Sequence, residues 1–379
     1  MNGVELNARP AGGLLVATTD FGWGSVGKLR LILDELDGVD LVVDGASDTA
    51  RLAAQVIGGR HRFVHGAGGA SPGAALVVND PASADRIARS GTPVVYVDSL
   101  PYLWTVDAEV PVAATVYCAQ RSLARELPPA GPLRGRADVR WVEPIVPPPR
   151  RRTGGAGAVI NVGGLHSHLV GGASDAYLRA VVVPLVGALR RGGRRIAAVC
   201  GNLPPWVRTE LAAVLPRGVR VGPLCAYEFE AALLRADALF TSPGSTTILQ
   251  AASLGLPTVL LPPQNLSQIL NAEIFGAPGR GVIPWPESVI DRELVDTLRP
   301  EGEDAVLGYV YRRIGERCGD PAVRALLAER FRALVALPTA AVPDGLSPRL
   351  RELGHGGARQ VARIIRRTLR SCAARGRRG

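Results

Sequence analysis

Short apolar runs bounded by turn residues recur along the whole chain. The first is Leu14 to Thr18, followed by runs at 41–45, 63–66, 75–80, 93–99, 114–119 and 139–146. They are valine-rich and apolar throughout, the habit of parallel strands buried on both faces, and Gly, Asp, Asn or Pro mark their ends. After the first run comes the turn-rich Asp20-Phe-Gly-Trp-Gly-Ser-Val-Gly27 and then the helix-like KLRLILDEL, so the order is strand, glycine loop, helix. Pro147-Pro-Pro-Arg-Arg-Arg-Thr-Gly-Gly155 can continue neither a helix nor a central strand and reads as a linker. A second series begins beyond it, at 158–164, 196–201, 219–224, 238–244 and 258–263, again separated by helical stretches. Strands alternating with helices twice over predict two doubly wound α/β domains facing a cleft. The expected division is 1–147, a linker at 148–155, a second domain at 156–340, and a C-terminal helix and arginine-rich tail at 341–379.

Composition fits two cores: 47% of the 379 residues are hydrophobic and 21% charged, which excludes a disordered chain. The five cysteines, at 118, 200, 225, 318 and 372, are widely separated, odd in number and without metal-ligand spacing. They read as reduced and structural, and no metal site is expected. The start MNGVELNARPAGG lacks the pattern of a secretion signal, and the long apolar run Leu178 to Leu189 is broken by Arg, Pro and Gly, too short for a membrane span. A cytoplasmic protein without integral membrane association is expected. The net charge of +10 is concentrated at the end, where residues 349–379 hold ten arginines against one glutamate. A basic stripe confined to a tail, with no DNA-reading motif beside it, gives no reason to expect a nucleic-acid partner. From Ala358 to Ser371, helical spacing puts Val361, Ile364, Ile365, Thr368 and Leu369 on one face and arginines on the other. This predicts an amphipathic helix packed on the body; the alternative is a membrane-surface helix.

Chemistry concentrates in Thr241-Ser-Pro-Gly-Ser-Thr-Thr247 and the residues just after it. A strand ends at Phe240, Gly244 permits close backbone approach, and a helix starts with Ser245 and Thr246. Free amides and hydroxyls at a helix start suit a diphosphate. After Gly255-Leu-Pro257 a further strand ends at Pro262-Pro263, where Gln264, Asn265 and Gln268 would offer neutral amides to sugar hydroxyls.

The segment SPGSTTILQAASLGLPTVLLPPQNLSQILN resembles the donor-binding signature of GT-B glycosyltransferases, including the bacterial enzyme that adds N-acetylglucosamine to complete lipid II. The resemblance implies a GT-B fold, two Rossmann-like domains about a cleft, with the nucleotide-diphosphate sugar held mainly by the second. It assigns the diphosphate to Gly244, Ser245 and Thr246 and the sugar to Gln264, Asn265 and Gln268. Where the family often carries Glu for the ribose, this chain has Gln250. Asn161-Val-Gly-Gly-Leu-His-Ser-His168 matches a glycine loop near the phosphates, bringing in Gly163, Gly164 and His166, although a surface loop is an equal reading for its histidines. Val221-Gly-Pro-Leu-Cys-Ala-Tyr227 matches the base-binding loop and places Leu224 against a uracil.

In the first domain, Gly22 and Gly24 fall where the family has a loop between donor and acceptor. Many relatives carry a catalytic histidine there; here Ser25 is the nearest counterpart. Asp20 and Asp98, each at a strand's carboxyl end, are the candidate general bases, against the plainer reading of each as a loop or helix cap. Lys28, the only lysine in the chain, could bind phosphate or carboxylate, or be an ordinary exposed helix residue. Its GxGxxGK context is not a P-loop, which spaces its glycines differently.

DFGWGSVGKL, YVDSLPYLW, VYCAQ and the 242–271 segment together are similar to the cytosylglucuronate synthases of nucleoside antibiotic pathways, over most of residues 14–335. That resemblance implies transfer of glucuronate from UDP-glucuronate to cytosine without a metal or other cofactor, UDP-glucuronate being a substrate. Trp23 and Tyr102 would then stack on the planar acceptor or belong to the core, and Lys28 and Gln264 are candidate partners for the sugar's carboxylate. The rival readings are a UDP-sugar epimerase of the same fold, a glycosyltransferase for another small natural-product acceptor, a nucleic-acid-binding protein, and a binding protein with an inactive site.

Overall fold

The computed structural model describes residues 13–19, 23–36, 39–43, 63–64, 72–104, 110–111, 113–124, 133, 138–163, 173–201, 203, 205–277, 280–335 and 344–376. In the first half, β1 (Leu14–Thr18), α1 (Trp23–Leu33), β2 (Leu41–Val43), β3 (Phe63–Val64), β4 (Ala74–Val78), α2 (Pro81–Arg89), β5 (Val94–Asp98), β6 (Val116–Gln120) and β7 (Val139–Val142) succeed one another. The second half holds β8 (Ala158–Asn161), α3 (Ala173–Tyr177), a π-helical turn (Leu178–Val182), α4 (Val183–Arg191), β9 (Ile196–Cys200), α5 (Pro205–Val214), β10 (Arg220–Gly222), α6 (Ala226–Arg235), β11 (Ala238–Thr241), α7 (Ser245–Leu254), β12 (Thr258–Leu260) and α8 (Leu266–Phe275). Then come α9 (Arg292–Leu298), a 3-10 turn (Arg299–Glu301), α10 (Glu303–Arg317), α11 (Pro321–Val335), another 3-10 turn (Pro348–Leu353) and α12 (Gly357–Gly376).

The strands form two sheets, ordered β3-β2-β1-β4-β5-β6-β7 and β10-β9-β8-β11-β12. Every pairing is parallel. Parallel sheets need cover on both faces, which is why β4 and β5 are buried at every position and read as unbroken apolar runs. In each sheet the chain starts in the middle, runs outward, then returns to the other side of its first strand. The order therefore reverses beside β1 and β4 in the first sheet, and beside β8 and β11 in the second. Loops at the carboxyl ends diverge at such points and leave a crevice. Two doubly wound domains of this kind constitute the GT-B fold.

One helix starts earlier than the sequence pattern suggests. The glycine stretch expected as a loop is already helical from Trp23, so Gly24 and Gly27 lie in α1 itself. At Gly24 a Cβ would come 3.4 Å from Thr246 Oγ1, so the small residue lets the start of α1 approach that of α7.

At the C-terminus α12 returns to the first sheet. Val361, Ala362, Ile365 and Leu369 pack with Leu29, Leu33 and Val142 in one core, while Arg359, Arg363, Arg367 and Arg370 face outward. Its start is fixed by Glu143, which accepts from the backbone N–H groups of Gly356 at 2.7 Å and His355 at 3.0 Å. These bonds, Gly356 foremost, hold the Glu143 carboxyl below its ordinary range, and a carboxylate suits the positive end of a helix. Among the described residues no helix is long and apolar enough to cross a membrane.

Candidate active site

The carboxyl ends of the two sheets enclose a cleft of about 1020 Å³. From the second sheet, β11 ends at Thr241 and the chain turns through Ser242-Pro243-Gly244 into α7. Gly244 is the N-cap, and no side chain among the described residues caps this helix. The first N–H groups of a helix have no intrahelical partner, so this start presents open donors, together with the hydroxyls of Ser245 and Thr246, to the cleft. Opposite stands Lys28 of α1. Its Nζ donates to Thr246 Oγ1, and no described carboxylate pairs with it. The side chain is 1% exposed, and burial drops its pKa to about 7. Nearby Arg30 is different: it also lines the cleft but is paired with Asp34 at 2.8 Å, and its guanidinium lies 4.7 Å over the ring of Tyr227 in α6.

Other residues expected to hold the donor line the same cleft. Gly163, with φ +59°, Leu224, Gln250, Asn265 and Gln268 all line the cleft. The ends of β8 and β9 are drawn together there: a Cβ on Gly201, itself at φ +127°, would lie 2.9 Å from Gly163 N. Asn161 ties β8 to β11 by donating to Thr241 Oγ1 at 3.1 Å. Asn265 spends its Oδ1 on the start of α8, accepting from Gln268 N at 2.9 Å. Gln268 accepts from Gln264 N at 2.9 Å.

Gln264 departs from the expectation. It is fully buried behind the cleft wall, and its Nε2 donates to Val162 O at 3.1 Å and Ser242 Oγ at 2.6 Å. Both amide protons are thereby engaged in bracing the turn before α7, so this side chain is a strut rather than a sugar contact. Asp20, Gly22, Gly164 and His166 lie outside the described residues.

On the first-domain side, Asp98 ends β5 and lines the cleft, as the sequence suggests. Its two oxygens accept three hydrogen bonds: from Leu100 N at 2.8 Å, Trp104 Nε1 at 2.6 Å and Tyr117 Oη at 2.7 Å. Burial raises its pKa despite these donors. A carboxylate so fully engaged fixes the Trp104 indole on the cleft wall, a residue that ends the YVDSLPYLW motif but has no role legible in the sequence. Asn79 is a second hub. It donates to Ser25 Oγ at 2.8 Å and Ser99 Oγ at 2.9 Å, and sits at φ +54°, a conformation Asn tolerates better than most residues. Tyr102 belongs to the core: it is buried, meets Phe275 edge-on at 6.0 Å, and hydrogen-bonds to Asn271 Oδ1 across the two halves.

The cleft is closed on one side by Arg299, Pro300, Glu301, Gly302 and Glu303, a stretch the sequence pattern does not single out. Arg299 reaches the first domain, its Nη2 donating to Tyr102 O at 3.1 Å. Glu303, the first residue of α10, faces Ser267 in the first turn of α8, and burial raises its pKa. Among the described residues no group of His, Cys, Asp and Glu is arranged to hold a metal ion.

Residues 36–278 match the model of a family described as CGA synthase-related protein. No curated protein sequence matches the chain. Among solved structures it is similar to the glycosyltransferase SnogD from Streptomyces nogalater, at 14% identity over 94% of this chain and 99% of that one, with a TM-score of 0.45. It is similar to the spinosyn rhamnosyltransferase SpnG at 13% identity over 86% and 98%, with a TM-score of 0.47. S. aureus MnaA, in a co-structure with UDP, is similar at 10% identity over 90% and 94%, with a TM-score of 0.46.

Proposed function

The chain belongs to the CGA synthase-related protein family, and from that premise we propose that it is a glycosyltransferase using a UDP-sugar, with glucuronate as the sugar and a planar nucleobase such as cytosine as the acceptor. One observation carries the donor half of this reading. A buried lysine with no carboxylate partner among the described residues faces a helix start that no described side chain caps. The helix start is positive, and the amine becomes so on protonation. Two linked phosphoryl groups placed between them would accept from both, which favours the charged lysine and fills the open donors. Leu224 and Gln250, further along the same wall, are then the residues for base and ribose.

The acceptor half rests on Trp104, held at the first-domain wall by Asp98, with Leu100 and Leu103 also lining the cleft. A planar heterocycle stacks on such a surface. The abbreviation in the family's description suits a cytosine and glucuronic acid product.

In this reading the acceptor nitrogen bonds to the anomeric carbon as the bond from that carbon to the β-phosphate oxygen breaks. The electron pair leaves with UDP, whose growing negative charge is met by the start of α7 and by Lys28. The ring proton passes to Asp20, the other candidate carboxylate, because the oxygens of Asp98 are already occupied.

The test is UDP release from UDP-glucuronate with and without cytosine. Release that requires the base supports transfer. Release or sugar epimerisation without any acceptor supports the epimerase of the same fold instead. If calorimetry finds no affinity for UDP, the donor site itself is wrong.

A further inference from the structure

Two charged side chains on the cleft wall each leave one buried atom unpaired among the described residues. Arg299 Nε and Glu303 Oε1 are both cut off from solvent and have no hydrogen-bond partner among the described residues. They stand one helical turn apart in sequence, yet no ion pair joins them or links either to another described residue. Both side chains line the cleft, where a bound molecule can supply the opposite charge and the hydrogen bonds that neither finds among the described residues. Their location narrows the choice. Glu303 faces Ser267, in the turn of α8 that also carries Asn265 and Gln268, the amides expected to meet the sugar. Arg299 is fixed by its bond to Tyr102 O, at the seam between the domains, where the sugar must lie between donor and acceptor.

We infer that Arg299 and Glu303 are the residues that read the donor's sugar: the Arg299 guanidinium takes an anionic substituent on the ring, and the Glu303 carboxylate accepts from its hydroxyls. The inference rests on the donor reading above and assigns the sugar's carboxylate to Arg299 in place of the two residues suggested by the sequence. Gln264 is turned into the core, and Lys28 belongs to the phosphates. An arginine suits this task because its planar fork meets a carboxylate with two parallel bonds. A lone neighbouring carboxylate would repel an acidic sugar; the pair, one of each sign, instead fixes which way round the ring sits.

The test is calorimetric binding of UDP, UDP-glucose and UDP-glucuronate to the wild-type protein and to Arg299→Gln, Arg299→Lys and Glu303→Gln. The wild type is expected to hold UDP-glucuronate about tenfold or more tighter than UDP-glucose. Arg299→Gln should abolish that preference, Arg299→Lys should keep part of it, and Glu303→Gln should weaken both sugar nucleotides about tenfold. UDP itself should bind all four proteins alike, which also establishes that the variants are folded. Equal wild-type affinity for the two sugar nucleotides, an unchanged preference in Arg299→Gln, or a parallel loss of UDP affinity overturns the inference while leaving the donor site standing. Failure of the wild type to bind UDP overturns both.

Discussion

Lys28 shows at the level of one residue how burial becomes a measurable property. Its pKa stands at about 7, against 10.5 for an ordinary lysine, because its ammonium would have to be charged without water or a carboxylate. Between those two values the unfolded chain binds a proton that the folded chain does not. Stability from this group therefore rises with pH through that window and is lowest below it. Thermal melting between about pH 7 and 9 should show this rise in the wild type and not in Lys28→Met. A bound diphosphate reverses the balance by favouring the charged amine. UDP binding near pH 8 should thus take up a proton, read from calorimetry in buffers of different ionisation heat, and Lys28→Met should lose both the uptake and about tenfold in affinity. Unchanged uptake in the variant would place the proton elsewhere. Asp98 illustrates the opposite case, a carboxylate defined by the donors it serves. Asp98→Ala leaves Leu100 N, Trp104 Nε1 and Tyr117 Oη without their acceptor, and urea denaturation should record a loss of about 2–4 kcal/mol.

Two neighbouring helices differ in a way that decides their use. The start of α8 is closed by Asn265 from its own sequence, whereas that of α7 begins at a glycine and has no side-chain cap among the described residues. Only the second is open to an external anion. The last helix, α12, has two unlike faces. Ile365 is fully buried against the first sheet, and Ile365→Ala should cost about 2–5 kcal/mol in denaturant unfolding. Arg363, on the outer face, should tolerate alanine within about 0.5 kcal/mol. A larger effect at Arg363 than at Ile365 would show that the basic face, and not the apolar one, holds the helix in place.

For the molecule as a whole, the proposed diphosphate site draws on both sheets. Lys28 comes from the helix after β1 and Thr246 from the helix after β11. Arg30 over Tyr227, and Tyr102 against Asn271, join the same two halves elsewhere around the cleft. Ligand binding that spans such a seam raises the stability of both sides at once. Hydrogen exchange with saturating UDP should show slower exchange in residues 24–30 of α1 as well as 245–248 of α7. Protection limited to α7 would remove Lys28 from the donor site.

The amino-acid sequence by itself carries the twofold alternation of valine-rich strands and helices, since a strand buried on both faces must be apolar along its length. It also carries the small residues at 244–246 and the two-faced pattern of 358–371, because a helix start and a helix face are local features. It misses the helical start at Trp23, where glycines that look like a loop allow close approach to Thr246 instead. Nor does it separate Gln264 from Gln268: identical amides four residues apart differ only in that one braces Ser242 and the other lines the cleft. Arg299 and Glu303 have no local signature either, and Trp104, within YVDSLPYLW, shows no role until Asp98 is seen to hold it. Whether a charged group is neutralised depends on partners brought from far along the chain, as Thr246 is brought to Lys28 across 218 positions, and that pairing is decided only when the carboxyl ends of the two sheets are brought together.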